Sequence, residues 1–234
     1  MSLDPARQDR PRPMAPAAVL PGWLATLAEA APNVTGDQLS AFIPPQSGAR
    51  ESAVLLLFGH GTAGPDLLLL QRAADMRSHP GQPGFPGGAI DGDDAGPVEA
   101  ALREAAEETG LDPAGVEVFA TLPQLWLPPS GFAVTPVLGW WRNPSAVHAA
   151  IPAEVAAVYR VPLRELTDPS NRVRVRHPSG YVGPAFTVRG MFVWGFTGGL
   201  LDRVLALGGW SRPWDEDRMV PLPESALGLG GGPR

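Results

Sequence analysis

Three glutamates packed into the stretch 103–111, Arg-Glu-Ala-Ala-Glu-Glu-Thr-Gly-Leu, constrain this chain more than any other feature, together with the glycine pair Gly87-Gly88 shortly upstream. Pro97 suits a first helical turn and Gly110 the position just past a helix end, while Val98, Leu102, Ala105 and Thr109 recur at helical spacing. These signals predict a helix of about three turns. At about 100° per residue, Glu104, Glu107 and Glu108 fall within an arc of about 100°, roughly opposite the apolar stripe. One face packs and the other gathers charge.

Like charges three and four apart oppose each other by about 0.2 to 0.5 kcal/mol per pair, so this face is unfavourable unless a cation lies among the glutamates. Mg²⁺ or Mn²⁺ would reverse the sign, because hard cations prefer carboxylate oxygen. Arg103 stands four residues from both Glu99 and Glu107, and pairing with them would orient the cluster. A solvated acidic helix face is the plainer alternative, and charge pattern alone does not separate the two.

The segment resembles the Nudix box, G-x5-E-x7-R-E-U-x-E-E-x-G-U, where U is bulky and aliphatic. Residues 103–111 match every fixed position, with Ala105 small for its slot. Upstream, five residues separate Gly88 from Asp94, which stands where the box has Glu, and eight rather than seven separate Asp94 from Arg103. One more residue in a turn adds little closure entropy, and the spacing within the helix is intact. Immediately before the box, Leu68-Leu69-Leu70-Gln71-Arg72-Ala73, then Arg77, Gly81 and Phe85-Pro86-Gly87-Gly88, resemble the L-L-T-x-R-[SA]-x3-R-x3-G-x3-F-P-G-G pattern of the coenzyme A pyrophosphatase branch. Only Leu70 departs, standing where the pattern has Thr. Arg72 and Arg77 carry guanidinium forks suited to phosphate oxygens, and coenzyme A holds both a pyrophosphate bridge and a 3′-phosphate. Pairing of either arginine with a surface acid is the ordinary alternative.

Composition bounds the object that carries these motifs. At 234 residues and 44% hydrophobic, the chain suits one well-buried domain with tails. Glycine and proline contribute 28 residues each, about twice the usual share, and many lie at the two ends. A flexible segment over 1–16, a helix and linker over 17–50, a catalytic domain over 51–207 and a flexible tail over 208–234 are therefore expected. Without cysteine, neither a disulfide nor a thiolate site is available. A net charge of -6 argues against a general nucleic-acid surface. No run reaches the roughly 18 apolar residues of a membrane span, and acidic residues and Pro21 speak against a signal peptide. A cytoplasmic protein is expected, and a homodimer stays open.

Strands are expected over 52–58 and 66–71, joined through turn material at 60–65, and again over 116–122 and 132–141. A strand at 159–162 leads into a short turn, a late pair is expected at 173–175 and 186–188, and a closing helix at 197–207. A short amphipathic helix is expected around Trp23, Leu24 and Leu27. Alternating strands and helices indicate an α/β domain. The Nudix resemblance implies an α/β/α sandwich on a mixed sheet, and Trp194-Gly195-Phe196-Thr197 resembles the W-G-x-T segment of the same branch.

The resemblance further implies Mg²⁺- or Mn²⁺-dependent hydrolysis of a phosphoanhydride. Glu104, Glu107 and Glu108 become the candidate metal ligands, helped by a carbonyl of Gly87 or Gly88, with Arg103, Glu104 and Glu108 as catalytic residues. Glu154, in Pro152-Ala153-Glu154-Val155, resembles the D-E-V segment that supplies a further base or ligand; an ordinary first-turn helix glutamate is the alternative. Arg72, Arg77, His79, Gly81 and Phe85 are the candidate substrate residues. His60, His148 and His177 sit in turn-like sequence and are expected to be solvated. Trp126 is a candidate for stacking on adenine, although core packing explains most tryptophans. The implied substrate is coenzyme A or a derivative, giving 4′-phosphopantetheine and 3′,5′-ADP. The alternatives are another nucleoside diphosphate derivative such as ADP-ribose, or a non-catalytic nucleotide-binding domain.

Overall fold

The apolar run at 53–58 forms the central strand because both of its faces are covered. A computed structural model describes residues 14–40, 42, 45, 48–76, 79–128, 130–178 and 180–223. Two short helices, α1 (Ala25–Ala30) and α2 (Gly36–Leu39), open the described chain. Strands β1 (Arg50–Gly61) and β2 (Gly64–Arg72) then form an antiparallel hairpin that closes at Gly61 and Gly64. Two short strands, β3 (Pro83–Gly84) and β4 (Gly87–Ala89), return to pair with β2 and β1, and the chain enters α3 (Pro97–Thr109). Strands β5 (Val116–Thr121), β6 (Leu125–Leu127), β7 (Phe132–Trp141) and β8 (Val155–Pro162) complete an eight-stranded sheet. In this sheet β7 runs parallel to β1 from Arg50 opposite Phe132 to Phe58 opposite Trp140, and the other pairings are antiparallel.

Alternation along β1 sorts its side chains between two layers. Leu55 and Leu57 pack with Ala101, Leu102 and Ala105 of α3. Leu56 and Phe58 face the other way, into a core shared with α5 (Gly195–Leu207) through Leu200, Leu201 and Val204. The result is the expected α/β/α sandwich on a mixed sheet. Helix α3 matches its sequence signals at both ends: Pro97 opens it, and Gly110 ends it in the left-handed region at φ 68°, its N–H donating to Ala106 O.

After β8 a one-turn helix α4 (Leu163–Leu166) leads to a second sheet of β9 (Arg172–Arg176), β10 (Val182–Val188), β11 (Met191–Val193) and β12 (Met219–Pro221). This second sheet was expected only as a late strand pair. Its edge strand β12 corrects the expected tail from 208, because it pairs parallel with β9 from Met219 opposite Arg174 to Pro221 opposite Arg176. Trp210 also packs back, against Phe58 at 5.6 Å and Trp23 at 6.0 Å between ring centroids, and Trp23 lies against Trp140 at 5.7 Å. Trp214 stacks over the buried Arg172 guanidinium, which pairs with Asp202 on α5. Both ends of the domain are thus held by aromatic contacts that no local pattern announces.

Other boundaries shift for similar reasons. The hairpin pairs almost to its tip, so the turn shrinks to Thr62-Ala63 and His60 lies in β1. Strand β8 begins at Val155 because its whole length pairs with β2. At the start of the described chain, the Ala15 N–H donates to Val118 O at 2.7 Å, so residues 14–16 are docked rather than loose. No helix among the described residues is long and apolar enough to cross a membrane. Trp210→Ala is expected to lower the unfolding free energy by about 3 kcal/mol, the usual scale for removing a packed aromatic, as measured by urea denaturation.

Candidate active site

The candidate site forms where β4 is pressed between β1 and α3. Gly87 and Gly88 pair with Val54 and Ala53, and side chains there would intrude: a Cβ on Gly87 would overlap the Ala53 carbonyl, and one on Gly88 would push the Glu104 carboxylate aside. This close approach lets the Gly87 N–H donate to Glu108 Oε2 at 2.9 Å. The Gly87 amide thereby orients a candidate metal ligand, a contact additional to the expected help from a carbonyl of Gly87 or Gly88.

Arg103 organises the acidic face. Its Nε and Nη2 donate to the two carboxylate oxygens of Asp94 at 3.0 and 2.9 Å, a two-pronged pairing, and Nη2 also donates to the Ala89 carbonyl at 3.1 Å. Its Nη1 donates to Glu104 Oε1 at 3.1 Å and to Glu107 Oε2 at 3.2 Å, so the expected contact four residues along the helix is present. Asp94 is therefore an anchor for Arg103, a role the one-residue departure in spacing obscured. The guanidinium hydrogen bonds hold the Asp94 carboxyl below the usual carboxylate range, and Asp94 in turn raises Arg103.

Burial acts the other way on the two inner glutamates. Glu108 is 4% exposed, and desolvation pushes its carboxyl up to about 7, opposed by the Gly87 amide and Arg72 and reinforced by Glu104 and Glu154. Glu104 is also raised, chiefly by burial, with Arg103 opposing. Glu154 reaches this neighbourhood through the loop that follows β7. His148 N–H donates to Thr109 O and Ala150 N–H to Glu108 O, which docks the loop on the C-terminal end of α3. The Glu154 N–H then donates to Ile151 O in a turn, and its carbonyl accepts from Ala73 N. Glu154 thus precedes a strand, and the helix-dipole alternative does not apply.

A β-bulge between Gln71 and Arg72 sets Arg72 opposite Val155, next to that turn. Arg72 Nη1 lies 4.0 Å from Glu108 Oε1. His79, at φ 54°, directs Nδ1 to Gln82 Oε1 at 3.2 Å. The Gly81 N–H donates to Ala73 O, folding this loop back on the end of β2. Phe85 corrects the expectation of a substrate contact: it is 6% exposed within the α5-side core and anchors the loop from below. Arg77 lies outside the described residues. Leu70, where the pattern has Thr, is 1% exposed, which makes it a core position. Of the histidines expected to be solvated, His60 and His148 are exposed, whereas His177 is half-buried and stacks on Trp194 at 5.7 Å. Trp126 lies in strand β6.

As the side chains stand, no three His, Asp or Glu groups among the described residues surround one point. Glu104 and Glu107 are turned onto Arg103, and Glu108 onto the Gly87 amide. The donor set nevertheless fits a hard divalent cation. All its donors are carboxylate oxygens, Glu104 and Glu108 lie in a desolvated setting that disfavours their charge until a cation offsets it, and half-exposed Glu107 has room to turn.

A family model described as NUDIX domain matches residues 49–178, a span that contains β1, the glycine strand, α3 and the Glu154 turn. The chain belongs to the Nudix hydrolase family. A Citrobacter koseri protein named as an uncharacterized Nudix hydrolase, NudL, is 39% identical over 78% of this chain and 90% of its own length. The Escherichia coli protein of the same name is 41% identical over 61% of this chain and 74% of its own. Among solved structures, the M. smegmatis Nudix hydrolase RenU aligns with 70% of this chain and 88% of its own at 21% identity, with a TM-score of 0.46. Nudix hydrolases generally use divalent metal ions.

The raised Glu108 carboxyl makes a signed prediction for metal-free protein. A carboxyl lifted in the folded state binds more protons there than when unfolded, so stability is lost as pH rises from the ordinary glutamate value of 4.5 to about 7. Glu108→Gln should remove that loss. In chelator it is expected to be more stable than wild type at pH 8, by about 1 to 3 kcal/mol, and to show little difference near pH 4.5. Denaturant melts at the two pH values check this.

Proposed function

We propose that this Nudix hydrolase cleaves the pyrophosphate bridge of coenzyme A or a derivative, giving 4′-phosphopantetheine and 3′,5′-ADP. The observation that carries this reading is the position of Arg72. It belongs to the pattern that resembles the coenzyme A branch, and it lies 4.0 Å from Glu108 of the Nudix helix. A candidate phosphate-binding cation thus lies beside a candidate metal-binding acid, which supports a diphosphate substrate.

Glu104, Glu107 and Glu108 would hold Mg²⁺ or Mn²⁺, which when bound supplies charge neutralisation at the bridging phosphates and acidifies water. Arg72 and Arg77 bind phosphate oxygens, with His79 on the same loop as a further donor. Arg103, fixed by Asp94, holds Glu104 and Glu107 on one face of the helix. Glu154 accepts the proton as water attacks phosphorus in line and the phosphorus–oxygen bond of the bridge breaks. Glu154 suits this role because the loop docked on α3 brings it within electrostatic reach of Glu108.

Purified protein with Mg²⁺ or Mn²⁺ is expected to convert coenzyme A to the two named products, identified by mass. Good turnover of ADP-ribose or NADH with coenzyme A left intact would overturn the assignment. Glu104→Gln and Glu108→Gln should each lower kcat by about 100-fold or more while the protein stays folded, the scale on which one preorganised electrostatic group acts. Asp94→Asn should cost about 10-fold through loosened Arg103, as outer-shell partners of metal ligands do.

A further inference from the structure

We infer that Arg72 is the resident counter-ion of Glu108 and that substrate phosphate draws it away, so that anion binding and metal binding at this helix favour each other. This rests on the reading above that Glu108 belongs to a metal site, and it adds a coupling to that site.

Glu108 has two carboxylate oxygens with different partners. Oε2 accepts the Gly87 N–H at 2.9 Å, and Oε1 faces Arg72 Nη1 at 4.0 Å. At 4.0 Å the arginine neutralises charge without forming a hydrogen bond. One of its own donors is unused: Arg72 Nε is buried and has no hydrogen-bond partner among the described residues. A buried donor without a partner is unfavourable, and a tetrahedral anion offers oxygens in the fork geometry that a guanidinium matches. Arg72 thus neutralises Glu108 while holding a donor in reserve for phosphate.

The backbone beneath it is fixed. Arg72 N–H donates to Gln82 O at 3.1 Å, Ala73 N–H donates to Glu154 O at 2.8 Å, and the bulge pins Arg72 opposite Val155. Only the side chain has freedom to re-aim, and it is 26% exposed against 5% for the Glu108 side chain. With no anion present, the Arg72 charge opposes a divalent ion on Glu108. Phosphate oxygens on the guanidinium cancel that charge and relieve the opposition. By thermodynamic linkage, whatever factor phosphate adds to metal affinity, metal adds to phosphate affinity.

Mn²⁺ binding to the full chain, followed by calorimetry or by the electron paramagnetic resonance of free Mn²⁺, tests this without reference to turnover. Wild type should bind Mn²⁺ at least about fivefold more tightly with inorganic phosphate present, after correction for phosphate's own chelation, the lower end of typical coupling. Arg72→Gln should bind Mn²⁺ alone at least about fivefold more tightly than wild type and gain nothing from phosphate, whereas Arg72→Lys should keep the weak binding of wild type. Equal Mn²⁺ affinity in wild type with and without phosphate would overturn the coupling, and that arm needs no variant. Weaker or unchanged Mn²⁺ binding by folded Arg72→Gln would overturn the counter-ion role. Glu108→Gln separates the two levels: if it binds Mn²⁺ as wild type does, the metal site itself is misassigned, whereas loss of binding leaves the Arg72 arms to decide.

Discussion

The whole site depends on the bare backbone of Gly87 and Gly88 lying between a strand and a helix. A methyl group at Gly87 would overlap the Ala53 carbonyl, backbone that cannot step aside, and one at Gly88 would displace the Glu104 carboxylate from its place. With glycine at both, β4 pairs with β1, and the helix comes near enough for a strand amide to bind a helix carboxylate. The core follows the same geometry, since Ala101 and Ala105 are the small residues that let α3 lie against Leu55 and Leu57.

Close approach creates an electrostatic problem that two arginines contain. Burial disfavours the charged forms of Glu104 and Glu108, and mutual repulsion adds to it. Arg103 serves the outer part of the cluster, tied to Asp94, Glu104 and Glu107, and its two-pronged bond to Asp94 leaves it little freedom. Arg72 serves the inner part at longer range and retains an unused donor, Nε, among the described residues. The contrast in geometry matches a contrast in role: one arginine orients ligands and the other responds to an anion.

Local patterns were legible where the physics is local. Helix α3 was readable from Pro97 to Gly110 because capping and helical periodicity are properties of neighbours in the chain, and β7 was readable at Phe132–Trp141 because the run is apolar throughout. The pairing of Arg103 with Glu107 also follows from helical spacing. Less visible were contacts between distant segments. Phe85 looked like part of a substrate motif and lies in the core, Asp94 looked like a mismatch and holds Arg103, and His177 is stacked on Trp194, a partner distant in sequence. Nothing near Trp210 or Met219 signals that these residues complete the aromatic cluster and the second sheet.

The amino-acid order alone established the chemistry on offer: a helix with three acids on one face, a glycine pair before it, and two arginines, Arg72 and Arg77, in the stretch that leads to it. Those properties depend on residue type and short spacing, which the chain carries before it folds. Tertiary structure decided which of these groups meet. Glu108 acquires its raised carboxyl only through burial beneath β4, Glu154 comes near it only because the 148–154 loop docks on the end of α3, and Arg72 faces it only through the bulge opposite Val155. Desolvation and long-range proximity are properties of packing, and packing is set by contacts between segments that no local spacing encodes.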